Sequence, residues 1–192
     1  PFLVIADHLA RNGIASLRYD DRSYGKSTGD ASAATTETFM ADASAGIDCL
    51  RSLNRFGKVG VIGHSEGGTI AFLLAGEGKT DFIISMAGTA VNGIEVLVEQ
   101  NRKILSGSGI PDSIVNDYCT ALQKIYAHRI VEYLNGVETD ENPEKTVSML
   151  SAASDIKLPA DLTANLAEVI RTIDPWMMKF FMLDTGKWIE KI

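Results

Sequence analysis

The sequence predicts an α/β fold in which a parallel sheet with flanking helices is followed by an all-helical region. Two observations lead to this prediction. In the first half, short apolar runs alternate with amphipathic helical patterns, which is typical of βαβ units. From about residue 93 the strand-like runs stop, and helical patterns succeed one another to about residue 183. We therefore expect three parts, formed by residues 1–92, 93–183 and 184–192.

Strands and helices alternate in the first part. A helical pattern up to Ala10 stops at Asn12-Gly13, and the apolar run 14–17 then predicts the first strand. The runs 59–62 and 82–86 predict two more buried strands, with a helix after the first of them. A further helix is predicted before residue 57, because apolar residues recur there at spacings of three and four. These residues are Phe39, Ala43, Ile47, Leu50 and Leu53.

Prolines divide the second part. Proline favours the first turn of a helix, because its missing N–H has no acceptor there. This rule predicts helix starts at Pro111, Pro143, Pro159 and Pro175. Two apolar stripes support the assignment, one formed by Ile114, Tyr118, Leu122 and Ile125, the other by Leu162, Leu166, Val169 and Ile173.

Composition excludes several classes of function. The 192 residues are 45% hydrophobic and 22% charged, as in an ordinary globular protein. A net charge of −7 argues against a nucleic-acid partner. No run approaches the roughly 20 apolar residues of a membrane span. Cys49 and Cys119 are expected to be buried thiols, and no Cys/His cluster predicts a metal site.

The most informative motif is Gly63-His64-Ser65-Glu66-Gly67. It lies between an apolar β-branched run and an apolar helical pattern, which is the context of a nucleophile elbow. So tight a turn needs glycine on both sides of the serine, and the following Gly68 lets the helix pack closely. Ser65 is therefore the candidate nucleophile. The backbone N–H of Glu66 is the candidate oxyanion-hole donor.

The loop before this motif permits two other interpretations. Its Gly25-Lys26-Ser27 triplet is similar to the end of a phosphate-binding loop. Such a loop needs glycine five residues earlier, where this chain has Asp20, so nucleotide binding is not expected. The charges of Arg18, Asp20, Asp21 and Arg22 are expected to form a structural ion-pair cluster rather than a catalytic carboxylate pair.

Taken together, residues 18–29 and the Gly63–Gly68 motif resemble the α/β-hydrolases, and in particular bacterial carboxylesterases that carry a helical cap. The resemblance is firm over about residues 1–90. Ser23 departs from it, since the family usually has glycine there, and a positive φ at this position would strain the loop.

The resemblance implies that residues 93–183 form a cap, or lid, over the active site. Near its end, four large apolar side chains crowd one short helix. These side chains are Trp176, Met177, Phe180 and Phe181. They are either packing residues of the lid or the lining of a substrate pocket.

In this family the nucleophilic serine is followed along the chain by a catalytic acid and then by a histidine. His128 lies in a predicted lid helix and His64 flanks the nucleophile, so neither is a convincing base. Asp184 follows an apolar run but is expected to end the lid. The acid and base are therefore expected beyond residue 192.

The chain begins without methionine and within a helical pattern, which indicates a fragment. The resemblance then places the second oxyanion donor and one strand upstream, leaving a gap in the sheet. We expect these 192 residues alone to be unstable or inactive. Subcellular localisation and oligomeric state stay open.

The function expected of the parent protein is that of a serine hydrolase acting on small-molecule carboxylic esters through an acyl-enzyme on Ser65. It requires no metal or organic cofactor. Alternatives within the fold are a peptidase, a thioesterase or an acyltransferase, and a non-catalytic homologue that binds a ligand is an alternative from another class. The sequence leaves the acyl and alcohol preferences open.

Overall fold

The computed structural model describes residues 2–192, which form nine helices and one two-stranded parallel sheet. In chain order the elements are α1 (Phe2–Arg11), α2 (Thr36–Ser52), β1 (Gly60–His64), α3 (Glu66–Gly76), β2 (Phe82–Met86), α4 (Gly93–Gly107), α5 (Asp112–Leu134), α6 (Pro143–Ala152), α7 (Ala160–Thr172), α8 (Pro175–Met182) and α9 (Gly186–Ile189). The fold is mixed α/β, as the sequence predicts.

Local capping signals explain where the helices begin and end. At the start of α2, the hydroxyl of Thr35 accepts a hydrogen bond from Thr38 N–H, and the hydroxyl of Thr38 accepts one from Thr35 N–H. The predicted prolines stand at or directly before the starts of α5 to α8, so that expectation is confirmed. Gly13 and Gly136 follow α1 and α5 with φ of +76° and +84°, conformations that glycine adopts without strain.

The sheet consists of β1 and β2, which pair in parallel from Gly60 opposite Phe82 to His64 opposite Met86. The predicted parallel arrangement is confirmed. The expectation that residues 82–86 form a fully buried strand is wrong for one face of β2. Phe82 and Ile84 are 47% and 48% exposed, whereas Ile83 between them is half-buried. Alternate residues of a strand point to opposite faces, and the face carrying Phe82 and Ile84 is largely open to solvent.

The predicted strand at residues 14–17 does not form. The segment follows α1 without joining a β-ladder with another described residue, and Ile14 and Leu17 are about half exposed. Leu17 and Tyr19 instead approach α2 beside Gly46. A strand is stabilised by hydrogen bonds to a neighbouring strand, and the sequence pattern alone does not supply that neighbour.

Two separate apolar clusters stabilise the structure. The first, which we call the sheet-side core, joins α2, α3 and β1, and its buried residues are Met40, Ile47, Val59, Ile70, Leu73 and Leu74. The second, the helical core, lies among α5 to α8, and its buried residues include Tyr118, Leu122, Ile125, Tyr126, Val147, Leu166, Ile170, Met178 and Phe181. Residues 93–182 are thus a run of helices with an apolar interior of their own.

The C-terminal residues pack against the sheet-side core. Leu183 and Trp188 contact that cluster, and the Trp188 backbone and ring lie directly on Gly76 at the end of α3. None of the helices within residues 2–192 combines the length and the apolar character needed to cross a bilayer.

The two cysteines differ in environment. Cys119 is buried in α5, and burial raises the pKa of its thiol. Cys49 is exposed on α2, so the expectation that both thiols are buried is wrong. It falls outside the apolar stripe by which α2 contacts the sheet-side core, and the helix therefore turns it towards solvent.

Candidate active site

Ser65 occupies the single residue between β1 and α3. Its φ of +54° and ψ of −119° form a sharp turn from strand to helix, and its side chain is exposed. A positive φ in a residue other than glycine costs about 1–3 kcal/mol and persists only where the surroundings enforce it. Here the Ser65 N–H donates to Met86 O at 2.9 Å, which ties the turn to the end of β2.

The glycines around Ser65 have different structural roles. A Cβ at Gly63 would overlap the backbone of Gly67, and one at Gly68 would lie 2.7 Å from both Gly88 Cα and Ser85 Oγ. Close packing thus explains the glycines at 63 and 68, as expected. The expectation that the turn has no room for a side chain at Gly67 is wrong, because an added Cβ there would meet open space.

A second tight turn, after β2, packs against the elbow. Ala87 has a φ of +53°, and Ser85 Oγ donates to Gly68 O at 3.2 Å. The hydroxyls of Thr69 and Thr89 lie 3.0 Å apart, and Thr89 N–H donates to Thr69 Oγ1 at 3.2 Å. These bonds fix the start of α3 to the carboxyl end of β2, the edge at which α/β proteins place their ligands.

The hydroxyl of Ser65 and the N–H of Glu66 are both suited to chemistry. The hydroxyl does not cap α3. Glu66 is the first residue of that helix, so its N–H has no acceptor inside the helix. The positive end of the helix dipole lies at the same place, and together they favour an anionic oxygen beside Ser65.

The four apolar residues of α8 divide between two environments. Phe181 is buried in the helical core with its ring 4.4 Å from that of Tyr126, and Met177 packs at the edge of the same core. Trp176 is half-buried, and its ring stacks on that of Phe180 at 5.2 Å. Trp176 is the residue that reaches the elbow, because its indole N–H bonds to the side chain of Glu66.

The Glu66 side chain is a feature that sequence reasoning missed. Its Oε1 accepts hydrogen bonds from Thr36 Oγ1 at 2.7 Å and from Trp176 Nε1 at 2.8 Å. Thr36 is 1% exposed at the start of α2. No local pattern indicates this contact, because its members are 30 and 110 residues away along the chain.

Neither histidine close to or after Ser65 in the sequence is placed as a base. His64 is exposed, and its ring lies edge-on to that of Phe2 at 6.4 Å. His128 lies on α5 with Nε2 3.3 Å from Glu132 Oε1. Asp184 is in an ion pair with Lys187 at 3.1 Å, which holds the pKa of that carboxyl below its usual value.

The charged loop at residues 18–29 is organised differently from the expectation. Arg22 donates two hydrogen bonds to Asp42 of α2, at 2.6 and 2.8 Å, and these bonds hold the pKa of Asp42 below its usual value. The predicted ion-pair cluster is therefore wrong, since Arg18, Asp20 and Asp21 form no ion pair within residues 2–192. The partner of Arg22 lies 20 residues away, on a helix that the loop packs against.

The same loop contains the predicted strain. Ser23 has a φ of +63°, and its hydroxyl donates to Gly29 O at 2.7 Å. The carboxylate of Asp20 fills the inside of the loop, where it contacts Gly25 and accepts a hydrogen bond from Lys26 N–H at 3.3 Å. An acidic group in that position repels phosphate. Across residues 2–192, no group of three His, Cys, Asp or Glu side chains is arranged to hold a metal.

Comparison with known proteins identifies the family. Residues 2–106, more than half of the chain, match the family described as serine aminopeptidase, S33. The chain belongs to this family. The serine aminopeptidase family lies within the α/β-hydrolase superfamily, so the resemblance found in the sequence is confirmed.

Membership in the serine aminopeptidase family identifies the chain as an α/β-hydrolase-type hydrolase. The matched segment contains the charged loop, the elbow and both strands, and it ends within α4. No curated protein and no solved structure matches the chain significantly.

Proposed function

We propose that this hydrolase cleaves carboxylic esters through an acyl-enzyme formed on Ser65. The observation that supports the proposal most strongly is the exposed hydroxyl held at φ +54° between β1 and α3. The strain at this residue is enforced by close packing on both sides of the turn. Backbone strain of this kind is found where a side chain must be presented to a substrate.

The chemistry requires two steps. In the first, Ser65 Oγ attacks the ester carbonyl carbon while a general base removes its proton, and the negative oxygen that forms is stabilised by the N–H of Glu66. The alcohol leaves with that proton. In the second step water attacks the acyl-enzyme, which releases the carboxylic acid and restores the Ser65 hydroxyl. The catalytic acid and base expected beyond residue 192 stay a prediction.

The cap is part of the same proposal. Residues 93–183 form the cap, and residues 184–192 begin the return to the hydrolase core. This division is supported by the separate helical core and by the contact of Trp188 with the end of α3. It is also supported by the hydrogen bond that brings Trp176 of α8 to the residue beside Ser65.

Peptide hydrolysis is a second candidate, because the matched family is described as a serine aminopeptidase. An aminopeptidase needs an acidic group for the free amine of its substrate. The carboxylate of Glu66 is next to Ser65 in sequence, and its Oε1 accepts bonds from Thr36 and Trp176. The apolar rings of Trp176 and Phe180 on α8 support the ester assignment.

The test uses the full-length protein and a fluorophosphonate probe, which bonds covalently to an activated serine. We expect the wild type and Ser106→Ala to be labelled and Ser65→Ala to remain unlabelled, since Ser106 is an exposed serine of α4. The kcat on short-chain aryl esters is expected to fall by several orders of magnitude in Ser65→Ala. Unlabelled wild type would favour a ligand-binding homologue, and faster turnover of aminoacyl anilides than of esters would favour the peptidase.

A further inference from the structure

The side chain of Glu66 connects three elements next to the candidate nucleophile. It starts at the residue that follows Ser65, and its Oε1 accepts one hydrogen bond from α2, through Thr36, and one from α8, through Trp176. Thr36 is almost completely buried at 1% exposure, so this end of the connection is fixed. A charged acceptor makes both bonds stronger than neutral ones.

The indole of Trp176 is fixed at its edge and on its face. At the edge, its N–H donates to Glu66 at 2.8 Å. On its face, the ring lies within 6° of parallel to the ring of Phe180. Phe180 is itself buried against Gly93, the first residue of α4, where even one added carbon would overlap the Phe180 backbone. The position of the indole relative to the elbow is therefore defined from both sides.

From these contacts we infer that Glu66 is a positioning residue that holds Trp176 as a wall of the acyl-binding space beside Ser65. The inference rests on the proposed function and extends it, because it assigns the selection of acyl size to one hydrogen bond. The backbone N–H of Glu66 and its side chain then have separate tasks. The N–H stabilises the oxyanion, and the carboxylate fixes the wall.

The inference requires that loss of the bond should change selectivity more than chemistry. A ring at position 176 that lacks the bond to Glu66 is mobile and closes the acyl space less well, so bulky acyl groups are penalised less. We expect the ratio of kcat/KM for hexanoyl to acetyl aryl esters to rise about five- to tenfold in Trp176→Phe, the effect of one lost hydrogen bond. The change is expected mainly in KM.

Matched variants separate this effect from general damage. Trp188→Phe makes the same substitution in α9, at a tryptophan that packs on Gly76 and not on Glu66, and should leave the ratio unchanged. Glu66→Ala removes the acceptor and should raise the ratio, while Glu66→Gln keeps an oxygen acceptor and should return it towards the wild-type value.

The outcomes are distinguishable from failure of the proposed function. Fluorophosphonate labelling of Ser65 in the wild type tests the nucleophile. The ratio of kcat/KM for hexanoyl to acetyl aryl esters tests whether Trp176 is a wall of the acyl-binding space. The inference is overturned if Trp176→Phe and Glu66→Ala lower activity on both esters equally, or if the ratio changes as much in Trp188→Phe. It is equally overturned if Glu66→Gln gives the same ratio as Glu66→Ala.

Discussion

Adjacent glycines at the start of α3 should respond differently to the same substitution, with Gly68→Ala less stable than Gly67→Ala. In Gly68→Ala the new methyl carbon would lie 2.7 Å from Gly88 Cα, 2.7 Å from Ser85 Oγ and 2.9 Å from Gly88 N. Two of these three atoms belong to backbone, so the turn after β2 has to move. In Gly67→Ala the methyl group meets no atom within 4 Å.

The magnitudes follow from overpacking and helix propensity. Overpacking costs about 1–3 kcal/mol, and alanine in place of glycine returns up to about 1 kcal/mol in a helix. Gly68→Ala should therefore lower the free energy of unfolding by up to about 3 kcal/mol, a fall in Tm of up to roughly 12 °C for a domain of 150–250 residues. Gly67→Ala should leave Tm unchanged or raise it by up to about 4 °C.

The assay is thermal unfolding of both variants of the full-length protein, followed by circular dichroism, beside the wild type under one set of conditions. The comparison is internal, because both variants add one methyl group to neighbouring residues of the same helix. A Gly67→Ala variant less stable than Gly68→Ala would refute the packing argument, and so would equal Tm values for the two.

Two further predictions concern side chains away from the elbow. Of the two cysteines, iodoacetamide should modify Cys49 in the native protein and Cys119 only after unfolding, because the Cys119 thiol is buried and its pKa is raised. Mass spectrometry of the labelled peptides checks this, and equal labelling of both cysteines in the native protein would contradict it. Asp42, whose pKa is lowered chiefly by the hydrogen bond from Arg22, should stabilise the fold at pH 7 and lose that contribution as pH falls below its ordinary 3.8. The difference in unfolding free energy between wild type and Asp42→Asn should therefore narrow on acidification, and a difference that widens would contradict the assignment.

The elements that the sequence predicts well are those with local causes. The prolines at 111, 143, 159 and 175 mark four helix starts, since their effect on φ and on the first turn needs no distant partner. The run 82–86 became β2 with the predicted bounds. The turn at Ser65 has the expected position because glycine and strand-to-helix context are also local signals.

The elements that it predicts poorly depend on distant partners. Residues 14–17 have a strand-like composition but pair with no described strand, because pairing is a property of two segments. Arg22 has acidic neighbours in the loop, yet it bonds to Asp42 on α2. The contact between Glu66 and Trp176 spans 110 residues, and no periodicity within either helix encodes it.

The separation of the sheet-side core from the helical core affects how such a protein can change over evolutionary time. Apart from the bond between Trp176 and Glu66, the buried apolar residues of 93–182 pack mainly within the helical core, while the elbow is supported by α2, β2 and α3. Under the proposed function, mutational drift in the cap can therefore reshape the walls that face a substrate while the turn at Ser65 keeps its support. One reactive centre then serves a succession of substrates.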